Sequence, residues 1–457
     1  MFTPVRCQSL SFLALALLAI ATSSAAADWA RFRGPNGSGV SEDTAAVPAT
    51  WSATENLKWK VALPGPGSSS PIIVGDRIFV TCWSGYGVER GNPGNQKELR
   101  LHLICLDRNS GKTIWSKAVE PVLPEDQYGG MFAEHGYASH TPVSDGERVY
   151  VYFGKTGALA FDMEGNQLWQ TKIGTESDRR GWGSASSPVL YKDTVIVTAS
   201  VESKAVVALD KATGKEVWRQ EAAGLDSTWG TPVLVKVDDE RTDLVLGVPY
   251  ELWAFNPDDG KLRWYCEAMD TDSFCSSVVT DEGVVYGIEG RGGGSIAVRA
   301  GGKGNVTDSN IVWSGRDSNR IGTPVIYEGR IYFFSGGIAN CIEAATGKEV
   351  FKSRLAGASG GASSSGGGAS GGFGGGGRRG GGGGMGGDYS SPIIADGKIY
   401  FTSRSGDMFV LKASDKFEQL ATNRVTSESE DFSATPAVSD GQLFVRSSKH
   451  LYCVAAP

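Results

Sequence analysis

One unit constrains this chain more than any other. It is an apolar run ending in an acidic residue, a tight turn closed by glycine, and a second run ending in tryptophan. Residues 205–218, AVVALDKATGKEVW, show it in full. Ahead of it, Ser186-Ser187-Pro188-Val189 opens one strand and residues 193–197 form another. The unit is therefore four short strands in about 33 residues, and such a unit recurring every 40–50 residues is the mark of stacked or radial β-repeats.

The repeats can be counted from the first strand of each unit. A hydroxyl residue opens it at Ser70, Thr141, Ser187, Thr231, Ser277, Thr323, Ser391 and Thr435, and proline follows all of them except Ser277. Proline is tolerated there because a strand's first residue loses least by lacking an N–H. Glycine turns follow the third strands at Gly111, Gly165, Gly214, Gly260 and Gly347. Fourth strands close on Trp115, Trp169, Trp218, Trp264, Trp313 and Phe351. The eighth unit reaches the end of the chain without a fourth strand. Residues 56–61, NLKWKV, precede the first unit and carry Trp59 in the tryptophan position. The expectation is an all-β, eight-bladed β-propeller of four-stranded antiparallel blades over residues 56–457, its ring closed by an N-terminal strand that completes the last blade. Closure of that kind removes open sheet edges. The recurrent tryptophans read as filling between blades, since an indole buries on the order of 200 Å².

Residues 1–27 carry one basic residue, an apolar stretch over 10–21 and a run of small residues before Asp28. That is the pattern of a secretory signal peptide, with cleavage expected near Ala27 and a periplasmic or secreted product. The apolar stretch is short for a membrane span. Residues 28–55 form an N-terminal arm rich in turn residues, with Trp29 and Phe32 expected to pin it to the domain surface. The net charge is −7 and no long basic run occurs, which argues against nucleic acid or anionic lipid as a partner.

Six cysteines follow the leader. Export permits disulfides, and Cys82–Cys105 or Cys266–Cys275 are conceivable pairs. The repeat offers another reading: Cys105, Cys341 and Cys453 stand where other units have Ala160, Ala208, Ala254 and Ala297, positions for a small buried side chain.

Most marks are 44 or 46 residues apart, but two intervals are 71 and 68. The first holds insertions over 84–100 and 117–137. The second holds 357–387, nearly all Gly and Ser, with too few apolar groups to offset ordering entropy and so expected to be disordered. Second-to-third and fourth-to-first connections emerge on one face of a propeller, so these insertions build up one face. Loops on a rigid scaffold carry binding residues. Candidate ligand-binding residues are the large side chains just ahead of the marks: Tyr137, His140, Trp182, Trp229, Phe274, Arg320, Tyr389 and Phe432, with Glu134 and His135 nearby. One such group per blade, pointing at an axis, suits a flat ligand or a peptide. No catalytic residue is assigned. The His135–His140 cluster lacks a third metal ligand or a nucleophile, and the eight hydroxyls, being equivalent, read as hydrogen-bonding groups at strand starts.

The succession S/T-P-V, D-G-x-V-Y-V and A-L-D-x-x-T-G-K-x-x-W resembles the pyrroloquinoline-quinone (PQQ) repeat family of eight-bladed propellers, most plainly at residues 210–218 and 344–351. The resemblance covers about 56–457. It implies one of two functional classes. One is the non-catalytic scaffold, similar to the BamB subunit of the outer-membrane β-barrel assembly machinery. The other is the quinoprotein dehydrogenase, which stacks PQQ on a ring formed by adjacent cysteines and holds Ca²⁺ with carboxylate and amide groups. No two cysteines are adjacent here. The expectation is an exported, monomeric, non-catalytic propeller that takes a protein segment or other ligand on its built-up face. A PQQ- and Ca²⁺-dependent oxidoreductase is the alternative.

Overall fold

In a computed structural model, which describes residues 28–89, 91–290, 293–358 and 387–456, the chain forms eight sheets arranged around one axis. The expected leader lies outside the described residues, as does the Gly/Ser-rich insertion except for residues 357, 358 and 387. Each sheet is a blade, numbered here by its mark, from Ser70 in blade 1 to Thr435 in blade 8. Blade 3 shows the plan: Val189–Tyr191, Thr194–Ala199, Ala205–Asp210 and Glu216–Glu221 pair in antiparallel order from the axis outward. Blade 8 is assembled from both ends of the propeller. Leu57–Ala62 pairs antiparallel with His450–Val454, and Trp59 stands opposite Cys453.

The strand register explains the small residues seen in the sequence. The residue facing the fourth-strand aromatic is Cys105 opposite Trp115, Ala160 opposite Trp169, Ala208 opposite Trp218, Ala254 opposite Trp264, Ala297 opposite Trp313 and Cys341 opposite Phe351. A bulge follows each of these pairs, adding twist beside the large ring. All six cysteines of the propeller are thiols rather than disulfides, and Cys82, Cys105, Cys266, Cys341 and Cys453 are fully buried. The small-residue reading therefore holds and the two conceivable pairings do not form.

The tryptophans join successive blades. Each indole lies against the glycine turn of the next blade and donates its N–H to a carbonyl there: Trp59 to Arg108, Trp115 to Met163, Trp169 to Lys211, Trp218 to Pro257 and Trp313 to Ala344, at 2.8–3.1 Å. A Cβ on Gly260 would sit 2.4 Å from the Trp218 ring, so glycine is required by contact as well as by its φ of +73°. Blade 5 departs from the plan. Its third-to-fourth connection is a long excursion carrying the helix Thr307–Asn310, and Gly304–Asn305 pairs in parallel with the outer strand of blade 4. With no glycine turn to meet, Trp264 donates instead to the buried Asp243 carboxylate at 2.8 Å, which Arg241 and Arg263 neutralise.

At the axis the eight hydroxyl marks form a closed ring. The N–H of Ser70 donates to the Thr141 hydroxyl, and the pattern passes through Ser187, Thr231, Ser277, Thr323, Ser391 and Thr435 back to the Ser70 hydroxyl, at 2.9–3.1 Å throughout. Each N–H is one that the strand ladder leaves unpaired, so the ring satisfies eight buried donors at once.

The arm does not lie on the domain surface as expected. It crosses the mouth of the channel on the face of the short turns. Trp29 pairs with Ile73 of blade 1, Ala30 accepts from Ser144 of blade 2, and Asn36 donates to Leu234 of blade 4. Arg33 then reaches Pro324 of blade 6, and Val40 pairs with Ile394 of blade 7. Touching five blades, the arm plugs that end of the channel.

Candidate functional site

With one end plugged, the axial channel becomes a cup opening on the built-up face. It encloses a cavity of about 150 Å³. All eight ring hydroxyls line it, Phe32 of the arm reaches it, and the fourth-to-first loops supply its wall.

Four of the eight expected side chains meet on that wall. Trp182 and Trp229 lie ring to ring at 4.9 Å and 37°, and the Trp229 N–H donates to Gly183 at 2.6 Å, which fixes its plane. Arg180 sits 5.4 Å over the Trp182 ring from outside. Across the cup are Arg320 and Tyr389. The Tyr389 ring carries the Arg404 guanidinium 4.8 Å above it, and Arg404 is held by Glu134 and Asp431. Desolvation raises the Tyr389 phenol above its ordinary value, and its buried oxygen has no hydrogen-bond partner among the described residues.

The other four lie behind the wall. Tyr137 is buried in an aromatic cluster with Trp83, Tyr86 and Phe132 that holds the two blade 1 insertions together, and its hydroxyl donates to Asp126. Phe274 is fully buried against Gly247 and Gly287, and Phe432 against Gly406 and Tyr452. His140 is buried edge-on to Tyr152. The candidate set therefore splits into Trp182, Trp229, Arg320 and Tyr389 on the cup, and Tyr137, His140, Phe274 and Phe432 in loop packing. The offset from the mark does not separate them. Arg320, Phe274 and Phe432 all stand three residues ahead of it, yet the two phenylalanines are buried and the arginine lines the cup. Counting by offset also missed Met131, Cys275 and Ile321, which line the cup.

Two histidines lie near the cup, and neither is set up as a base. His135 donates Nε2–H to the Trp182 carbonyl and accepts from Ser139 at Nδ1, while burial lowers its pKa. The His140 imidazole bonds Ser184 at 3.1 Å, and burial first, then His135, pulls its pKa down to about 3. Ser184 in turn bonds the buried Glu202, which also accepts from Tyr152 at 2.9 Å. The hydroxyl thus stands between imidazole and carboxylate. Acid–base activation of a nucleophile needs the imidazole in the middle.

The cup can be tested against a calcium-held quinone. No carboxylate lines it, Cys275 is the sole cysteine on it among the described residues, and these residues contain no group of three or more His, Cys, Asp and Glu able to hold a metal. The donor set is hydroxyl, guanidinium and indole, which lacks the carboxylates that would hold the calcium.

Comparison with known proteins agrees on the fold and divides on activity. A family model described as outer membrane protein assembly factor BamB matches residues 98–224 and 160–372, together more than half of the chain. The chain is 24% identical over 267 residues to a polyvinylalcohol dehydrogenase of Sphingopyxis sp. (strain 113P3), a match covering 48% of this chain and 36% of that protein. The match thus spans about a third of the length of this curated relative. Among solved structures, BamB from Moraxella catarrhalis superposes with a TM-score of 0.57 at 11% identity, over 87% of this chain and 98% of that one. The quinohemoprotein alcohol dehydrogenase of Comamonas testosteroni gives 0.58 at 11% identity, over 94% and 81%. At these identities the structural likenesses establish the fold alone.

Proposed function

Taking as premise that this chain belongs to the family described as outer membrane protein assembly factor BamB, we propose that it is an exported, non-catalytic binding propeller that seats a partner segment in its axial cup. The observation that carries this reading is the cup itself: blind at one end, walled by the Trp182–Trp229 pair, and free of carboxylates. Paired indoles in a concave, half-dry site are the usual anchors of recognition, because they bury much area at little entropic cost.

A second reading, a quinone-dependent oxidoreductase, draws on the polyvinylalcohol dehydrogenase match and on the indole pair as a platform for a flat ring. One experiment separates the two. Purified protein is titrated with PQQ and Ca²⁺ and assayed for dye reduction with alcohols and sugars. The binding reading predicts neither stoichiometric uptake nor turnover. Uptake at one equivalent with dye reduction overturns it.

A further inference from the structure

The arm brings an arginine into the axis of the molecule with nothing to balance its charge. Arg33 has no measurable exposure. Its Nη2 donates to backbone carbonyls only, Pro324 at 2.7 Å and Ser38 at 3.2 Å, with Pro392 at 3.5 Å. Its Nε and Nη1 are buried without any hydrogen-bond partner, and no carboxylate pairs with it among the described residues. The position is built rather than incidental. Gly39, at a φ of +76°, passes so close that a Cβ there would stand 2.3 Å from Nη2.

The carbonyls around the guanidinium all engage Nη2, and none reaches Nε or Nη1. Pro324 and Pro392 directly follow Thr323 and Ser391, so the guanidinium lies one residue from the hydroxyl ring in two adjacent blades. Those two hydroxyl oxygens already accept N–H bonds from the neighbouring blades, which leaves their protons to donate. On the same turn of the arm, Arg31 has Nε and Nη2 buried and unpartnered. Burial alone pulls both guanidinium pKa values down, to about 9 for Arg33 and about 10 for Arg31. A water molecule would satisfy N–H groups but leave the charge uncompensated, and an uncompensated buried charge is strongly destabilising. An anion answers both demands.

We propose that the axis beneath the cup holds a small inorganic anion, of the size of a halide, bound by the unpartnered Nε and Nη1 of Arg33 and locking the arm into the channel. The site is separate from the cup wall and does not depend on what the cup binds.

Bromide is the probe. In crystals of the mature protein soaked in bromide, anomalous scattering at the bromine edge is expected to show a peak within hydrogen-bonding distance of the Arg33 guanidinium. The thermal unfolding midpoint in solution is expected to rise with the logarithm of bromide concentration at fixed ionic strength, as for any ligand bound only by the folded state. In Arg33→Met both effects are lost. If that variant does not fold, the wild-type peak decides the matter. A channel that holds only water, seen as density without anomalous signal together with a midpoint indifferent to bromide, overturns the proposal, and so does a peak that persists in Arg33→Met.

Discussion

At the scale of single residues, the axial ring makes the sharpest demands. Each hydroxyl serves the N–H of the neighbouring blade, so Thr231→Val leaves the Ser187 N–H buried and unpaired. The expected loss is about 1–3 kcal/mol of unfolding free energy, read by denaturant titration, whereas Thr231→Ser keeps the acceptor and should stay within about 1 kcal/mol. His140 gives a pH prediction. Its folded pKa near 3 lies below its ordinary value of 6.5. Between those limits the unfolded chain takes up a proton that the folded one refuses. Stability is therefore full above pH 6.5 and falls by about 1.4 kcal/mol per unit as the pH drops toward 3. In His140→Gln the acid limb of a stability–pH curve should flatten by one proton; an unchanged limb would show that His140 is not the titrating group. The sequence showed the eight hydroxyls and their equivalence, because periodicity is visible in one dimension. It did not show which large side chains would reach the cup, since Phe274 and Arg320 share one offset from the mark and Phe274 is buried against glycines of the second strands, which only folding brings beside it.

At the scale of elements, tryptophan, glycine and the small facing residue work as one device. Trp218 faces Ala208 across its own blade and Gly260 in the next. Trp218→Phe keeps most of the buried area and loses the bond to the Pro257 carbonyl, for an expected cost of about 1 kcal/mol. Gly260→Ala meets both the positive φ and the indole, and should cost more than about 1 kcal/mol. Denaturation of the two single variants and the double tests the coupling, because residues in contact should not add. The device was legible as a repeat, and so was its failure in blade 5, where the glycine turn is missing from the sequence. What replaces it there was not: Gly304–Asn305 of blade 5 pairs in parallel with the outer strand of blade 4, and Trp264 turns back to Asp243 within its own blade, neither of which follows the period.

At the scale of the whole molecule, two N-terminal segments decide the architecture. Leu57–Ala62 closes the ring, and its deletion exposes the edge His450–Val454. That edge is expected to drive self-association, measurable by light scattering, in addition to lowering the unfolding midpoint. The fourth strand missing from the eighth unit, with NLKWKV ahead of the first, made this closure readable from the sequence. The arm was misplaced, because turn residues tell where a segment bends and not what it crosses; only its contacts with five blades identify it as a plug. By blocking one end it turns a channel into a cup that opens on the built-up face. The central claim is that this cup is where a partner docks. The most direct measurement is site-specific photo-crosslinking in the host cell, with the photoreactive residue at Ile321 on the cup wall or at Val217, which is 52% exposed on the outer strand of blade 3. A cup site predicts a discrete partner adduct from position 321, lost in Trp182→Ala/Trp229→Ala, and none from 217. An adduct from 217 with none from 321, or one from 321 that survives loss of both tryptophans, would contradict the claim.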